Sequence, residues 1–152
     1  MTDVLNLGCG NQLIDGAVNH DRTLHRSGID VAHDLNELPW PWADESFNMI
    51  VALAVLEHLK LTLIESVSEC WRILRPDGIV YLKLPHWQHE HSYVDPTHYW
   101  AFSLRTCDVF DPATRYGKQY GFYCDRKWTI IEPATLNRGK SSFYLKMRVM
   151  KP

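Results

Sequence analysis

Residues 84–102, LPHWQHEHSYVDPTHYWAF, gather four imidazoles (His86, His89, His91 and His98) and two carboxylates (Glu90 and Asp95) in one short stretch. Such a set has two chemical uses. Imidazole and carboxylate together can ligate a metal ion. Alternatively, a histidine titrating near neutrality can take a proton from an attacking hydroxyl or amine. The HxxHxH spacing of His86, His89 and His91 is not a strong zinc pattern, and no metal-ligand set is assigned from it. A loop whose histidines are merely satisfied by hydrogen bonds is the third reading.

A second constellation lies near the start, VLNLGCGNQLIDGAVNHD. The turn Gly8-Cys9-Gly10 follows a short apolar run. Glycines there let the backbone bend tightly and let a ligand approach without meeting a Cβ. The phosphate loop GxxxxGK[ST] is absent, and the spacing fails the dinucleotide fingerprint GxGxxG. Two acids follow at the ends of predicted strands. Asp21 is placed to accept both hydroxyl protons of a ribose, as the equivalent acid does in dinucleotide folds. Asp34 is placed to accept from an exocyclic adenine amine. In the order glycine turn, Asp21, Asp34, these residues point to an adenosine-bearing ligand at the carboxyl edge of a sheet.

The elements that must position these groups follow from periodicity. Strands are predicted at Val4–Leu7, Ala17–His20 and Ile29–Ala32. LPWPWADESF, broken by Pro39 and Pro41, is a loop. The apolar run Asn48–Leu53 reads as a central strand covered on both faces. Leu63, Ile64, Val67, Cys70, Trp71 and Leu74 form one stripe of a helix over about Leu61–Leu74, with RPDG ending it. Ile79–Leu84 is a fifth strand. Ser103 is expected to cap a short helix at Leu104–Phe110. Trp128–Ile131 and Phe143–Met150 read as final strands, the last alternating in the antiparallel manner. Too few residues separate the second and third strands for a full crossover helix. The sum is an α/β protein, a Rossmann-like open sheet of about seven strands, mostly parallel with an antiparallel last strand, in a single domain over residues 1–152.

Taken together, "VLNLGCGN … VNHD … HDLNELPWPWADESFNMIVALAVLEHL … ECWRILRPDGIVYLKLP" resembles the class I S-adenosylmethionine-dependent methyltransferases of the small-molecule, methyltransferase type 11-like kind, over about residues 4–85. The resemblance implies S-adenosylmethionine as cofactor and S-adenosylhomocysteine as product. It implies that Gly8, Cys9 and Gly10 pass beneath the methionine and ribose, and that Asp21 binds the ribose hydroxyls. Asp34 and Leu35 would flank the adenine, and Ala52, Leu53 and Ala54 would face the methionine moiety. Glu57 and His58 match the family's "EH" pair, either anchoring the start of the helix or touching substrate. Asn48 and Asp77 depart from the common Asp and Gly. The helical segment that usually precedes the first strand has no counterpart here, which leads to the expectation of a more open cofactor pocket or one closed by a partner subunit in a homodimer.

The "DPTH…F" segment also resembles one that many relatives carry, which favours a substrate loop. On that reading His98 and His86 are the catalytic candidates, with Asp95 orienting one of them and Tyr93, Tyr99 and Trp100 lining the acceptor pocket. In-line methyl transfer needs chiefly an aligned nucleophile and a route for its proton. The [DNS]PP[YFW] motif of DNA amino-methylases is absent after the fourth strand, and no Pro precedes a cysteine. Both DNA-base chemistries are therefore disfavoured, although a nucleic-acid end remains among the anionic acceptors.

Charge and composition set the remaining bounds. Residues 1–98 carry 6 Lys/Arg and 14 Asp/Glu, net −8, whereas residues 99–152 carry 10 and 4, net +6. The asymmetry reads either as two solvated faces that happen to differ or as a basic C-terminal surface that permits an anionic acceptor, among them a small or carbohydrate-like one. No run is apolar enough for a membrane span, and no secretory signal is visible. The four cysteines lack ligand spacing and read as reduced thiols of a cytoplasmic protein. Two other functions compete with an O- or N-methyltransferase: a cofactor-binding scaffold without turnover, and a metal-dependent hydrolase using the His86–His98 loop.

Overall fold

The computed structural model describes residues 3–151. Seven strands form one sheet in the order β3-β2-β1-β4-β5-β7-β6. They are β1 (Val4–Leu7), β2 (Val18–Asp21), β3 (Val31–Ala32), β4 (Phe47–Leu53), β5 (Leu74–Pro85), β6 (Lys127–Leu136) and β7 (Ser142–Met150). The first five pair in parallel. β7 runs antiparallel to both β5 and β6. The predicted sheet, with its reversed last strand, is therefore the one that forms.

The chain reverses direction across the sheet between β1 and β4, where one half winds outward through β2 and β3 and the other through β5. A crevice opens at the carboxyl ends of the strands at such a switch point. The core beneath it is built from alternate strand residues, Leu5, Leu7, Ile50, Leu82 and Met147 among them, all fully buried. Against this face packs α1 (Leu63–Ile73), through Val67, Cys70 and Ile73. Thr62 starts α1 with a reciprocal cap. Its hydroxyl accepts from the Glu65 N–H at 3.2 Å, and the Glu65 carboxylate accepts from the Thr62 N–H at 2.7 Å, which satisfies two otherwise orphaned donors. At the other end, Arg72 donates to the Glu69 carboxylate and to the carbonyls of Trp40 and Trp42, which pins the proline-broken loop onto the helix.

Three sequence expectations need correction. RPDG does not simply end the helix. The helix stops at Ile73, and Leu74 already pairs with Phe47 before the chain bulges through Asp77, at φ 61°, and rejoins the sheet at Ile79. Ser103 does not cap a helix, because the turn is 3-10, spans Thr106–Phe110 and starts from Arg105 without a side-chain cap. A further helix, α2 (Arg115–Tyr120), was not foreseen. It is capped by Thr114, whose hydroxyl accepts from the Gly117 N–H at 2.8 Å. Its sequence, RYGKQY, has no apolar stripe to betray it.

No helix joins β1 to β2 or β2 to β3 among the described residues, so these crossovers are turns. The sheet margins differ from its centre. β3 has two residues, and β6 loses register on either side of Glu132, next to Pro133. Among the described residues no helix is long and apolar enough to cross a membrane. All four cysteines are free and buried.

Candidate functional site

β1 delivers its chain directly into the glycine turn, where Gly8 and Gly10 take φ of 60° and 51°, a region that L side chains rarely adopt. The two glycines serve different ends. A Cβ on Gly8 would come within 2.8 Å of Val55, so its absence lets the turn pack on the segment after β4. A Cβ on Gly10 would meet nothing within 4 Å and would project into open space. The turn is held from β2. Gly10 N–H donates to Asp21 Oδ2 and Arg22 N–H to Asp21 Oδ1, each at 2.7 Å. Gly8 N–H donates to His20 Nδ1 at 3.2 Å. Since Nδ1 accepts, Nε2 carries the proton and donates to the His33 carbonyl at 3.1 Å.

His20 was not singled out from the sequence, yet this buried ring joins the glycine turn to the ends of β2 and β3. Burial pushes its pKa below the ordinary histidine value. The neutral ring therefore contributes stability in full above about pH 6.5, the unfolded histidine value, and that contribution is lost as pH falls through the depressed folded value. In denaturant titrations between pH 8 and pH 5, the parent is expected to lose stability with acid relative to His20→Gln, since the buried Glu57 carboxyl, pushed up to about 7, acts in the opposite sense in both. A difference between parent and variant that does not change with pH would count against the assignment.

Two cavities flank the turn. One, of about 230 Å³, is lined by His20, Asp21, Asp34, Leu35, Ala54 and Leu59. The other, of about 310 Å³, is lined by Gly8, Cys9, Gly10, Gln12, Leu53 and Ala54. Asp34 is partly committed. Its Oδ1 accepts from the Asn36 backbone and side chain, and its Oδ2 lies 3.3 Å from Arg22 Nε. The Asn36 N–H, more than Arg22, holds the Asp34 carboxyl below the usual range. Leu35 walls the first cavity while its carbonyl accepts from the Trp40 indole. The Cys9 side chain is buried, and burial raises its thiol pKa. Ala52 does not face either cavity. It pairs with Leu7 and Leu82 and belongs to the core.

A third cavity, of about 160 Å³, shares Ala54 and His58 with the first and is lined also by Glu57, Lys83, His91 and His98. Ala54, at φ 59°, is common to all three spaces. The loop after β5 is folded back over the turn Leu56–His58. Tyr99 N–H donates to the Glu57 carbonyl at 2.7 Å, and the Trp100 indole donates to the Leu59 carbonyl at 2.8 Å. This brings His98 against His58, with ring centroids 4.6 Å apart. Glu57 is 1% exposed, and its Oε2 has no hydrogen-bond partner among the described residues. Burial pushes its carboxyl up to about 7, with Lys83 and Asp95 acting in opposite senses. His58 is held below the usual range by burial and by His98.

Of the sequence candidates, His98 lines this cavity, and Asp95 stands beside it at 3.9 Å. His86 does not join them. It is buried, with its ring against Trp87 and Phe143. Tyr93, Tyr99 and Trp100 stand outside the lining. Tyr93 and Tyr99 are more than half exposed, and the Trp100 and Tyr99 contacts serve to fasten the loop. Sequence reasoning left Glu57 undecided and missed Lys83. The available signal was an acid inside AVLEHL, immediately after a central strand.

Comparison with known proteins bears on this geometry. Residues 10–82 match a family described as "Methyltransferase domain". A curated protein of Mycolicibacterium smegmatis named as a probable S-adenosylmethionine-dependent methyltransferase is 35% identical over 101 residues, which takes in 55% of this chain and 38% of that protein. The chain thus spans well under half the length of that relative. A methyltransferase structure from Mesorhizobium loti superposes with a TM-score of 0.65 at 11% identity, covering 95% of this chain and 89% of that one. One from Archaeoglobus fulgidus does so with a TM-score of 0.62 at 15% identity, covering 95% and 85%. At these identities the structural likeness is one of fold.

Proposed function

We propose that this chain, whose residues 10–82 match the family described as "Methyltransferase domain", transfers a methyl group from S-adenosylmethionine to an oxygen or nitrogen of a small, anionic or carbohydrate-like acceptor. The observation that carries the reading is the meeting of three cavities at Ala54, two beside the glycine turn and one beside the Glu57-His58-His98 cluster.

The residues present fit the cofactor. The open space above Gly10 is a cradle that a Cβ would fill. Asp21 lines the first cavity and is already fixed by two backbone donors, so its orientation is set and its remaining lone pairs suit a ribose diol. Asp34 and Leu35 supply an acceptor and an apolar wall for the adenine. When bound, S-adenosylmethionine supplies a methyl carbon on a sulfonium, which leaves readily as a thioether.

This chain's residues then do the remaining work. Ala54 lines all three cavities with only a methyl side chain, which takes up little of the space between cofactor and acceptor. Lys83 offers a cation to an acidic acceptor. The Glu57-His58-His98 cluster holds the attacking atom and receives its proton as the new bond to the methyl carbon forms. Orientation accounts for much of the acceleration in such a reaction.

The test is calorimetry with S-adenosylmethionine and S-adenosylhomocysteine, followed by transfer of labelled methyl to panels of hydroxylated and amino acceptors, neutral and anionic. Saturable binding of both cofactor forms, with label retained by an acceptor, is the expected result. Binding of neither form overturns the reading. Binding without transfer to any acceptor favours the cofactor-binding scaffold.

A further inference from the structure

We propose that Glu57, His58 and His98 form a binding site for one divalent transition-metal ion in the third cavity. One carboxylate oxygen and one ring nitrogen from each histidine lie within 4.8 Å of one another. Ligands on bonds of about 2.0–2.2 Å stand roughly 3–4 Å apart, so side-chain movements of less than about an ångström would close the set.

Two further observations point to an ion. The first is Glu57 itself. It is 99% buried, and its Oε2 has no partner among the described residues. A buried carboxylate oxygen without a donor is costly unless a cation or hydrogen-bond donor meets it.

The second is the way both imidazoles are held. The Thr97 hydroxyl donates to Asp95 Oδ1 at 2.7 Å, so at its oxygen it accepts from His58 Nδ1–H at 2.8 Å. His98 Nδ1–H donates to the Ser92 carbonyl at 3.2 Å. In each ring the proton is thereby assigned to Nδ1, and Nε2 keeps a lone pair with no hydrogen bond among the described residues, that of His98 lying 3.9 Å from Asp95 Oδ2. Anchoring one ring nitrogen to a carbonyl or a carboxylate-backed group is how ligating histidines are commonly oriented.

Two imidazoles and one carboxylate on one side of an ion suit Mn²⁺, Fe²⁺ or Zn²⁺ better than Mg²⁺, which prefers oxygen ligands. The remaining positions would be open to an oxygen of the acceptor, and in the metal-loaded chain its proton would pass to solvent rather than to the ligating side chains. This role for the ion rests on the proposed function, but the binding of the ion does not. The site differs from the HxxHxH run, whose His86 and His89 lie outside this cavity lining.

The experiment uses the whole chain freed of metal by a chelator. Mn²⁺ is titrated with paramagnetic-resonance detection, and Zn²⁺ is titrated in competition with a chromophoric chelator. One equivalent of at least one ion is expected to bind. Removing a supporting group commonly costs 10–100-fold in metal affinity, so loss of a direct ligand in Glu57→Gln or His98→Gln is expected to cost at least about tenfold. His25→Ala, far from the cluster in sequence and exposed, should leave affinity unchanged. Glu57→Gln keeps the side-chain shape and removes a buried charge, and S-adenosylhomocysteine binding by the same variant reports that the fold is intact. Absence of a stoichiometric site for either ion overturns the proposal, as does equal affinity in Glu57→Gln. If the nucleoside thioether binds while neither metal does, the metal site alone falls. If metal binds and the thioether does not, the methyltransferase reading alone falls.

Discussion

Replacing Asp21 with alanine is expected to weaken S-adenosylhomocysteine binding at least about 100-fold while leaving the sheet folded. The carboxylate has two duties. It accepts the Gly10 and Arg22 N–H groups, each at 2.7 Å, and on the proposed function it accepts the ribose hydroxyls. Hydrogen bonds to a charged group contribute about 1.5–3 kcal/mol each, and a 100-fold change corresponds to about 2.7 kcal/mol. Loss of the ribose contacts alone reaches that figure, and freeing Gly10 from its anchor adds to it. Asp21→Asn keeps the shape and one acceptor oxygen, so a smaller loss, about tenfold, is expected. Asp21 closes β2 at a half-exposed position, so thermal unfolding should move little. Calorimetry on both variants is the check. Affinity within twofold of the parent in Asp21→Ala would remove the basis for placing the nucleoside there.

The largest expected loss of stability lies away from the site, at Gly117. A Cβ added there would overlap the Asp111 carbonyl and approach its carbonyl carbon at 2.6 Å. Backbone cannot swing aside as the end of a side chain can, and Asp111 is held. Its Oδ2 accepts from the Ile130 N–H in β6 and its Oδ1 from the Ala113 N–H, both at 2.8 Å. Relief therefore requires α2 to lift from the 3-10 turn before it, or Asp111 to give up its bond to the sheet. Overpacking of this kind costs about 1–3 kcal/mol and occasionally more. We expect Gly117→Ala to lie at or above the top of that range, a fall of about 10 °C in Tm for a chain of this size. This outweighs the helix-propensity gain of alanine over glycine, about 1 kcal/mol. A Tm within 2 °C of the parent would show that the helix shifts freely.

The parts legible in the sequence are those whose signal is local. β4 announces itself by an unbroken apolar run, α1 by one apolar stripe, and β7 by strict alternation. The glycine turn and Asp21 were readable for the same reason, since strand, turn, strand and acid follow one another directly. What escaped depends on contacts distant along the chain. Leu74 becomes strand only because Phe47 lies beside it, and a bulge at Asp77 then absorbs the residues that Pro76 and Gly78 would otherwise have marked as the end of an element. His20 looks like any polar strand residue until Gly8 and His33 are placed around it. Tyr93, Tyr99 and Trp100 look like a pocket wall in sequence, yet the last two spend their polar groups on fastening the loop. The third cavity was the hardest to foresee, because His58 and His98 meet only after that loop has folded back.

The two margins of the sheet carry a consequence for how copies of this chain meet. A two-residue strand on one side, and on the other a long strand interrupted beside Pro133, offer little continuous unpaired backbone. Such margins resist edge-on growth into fibrils. Pairing of one copy's sheet with another's along these margins is thereby disfavoured.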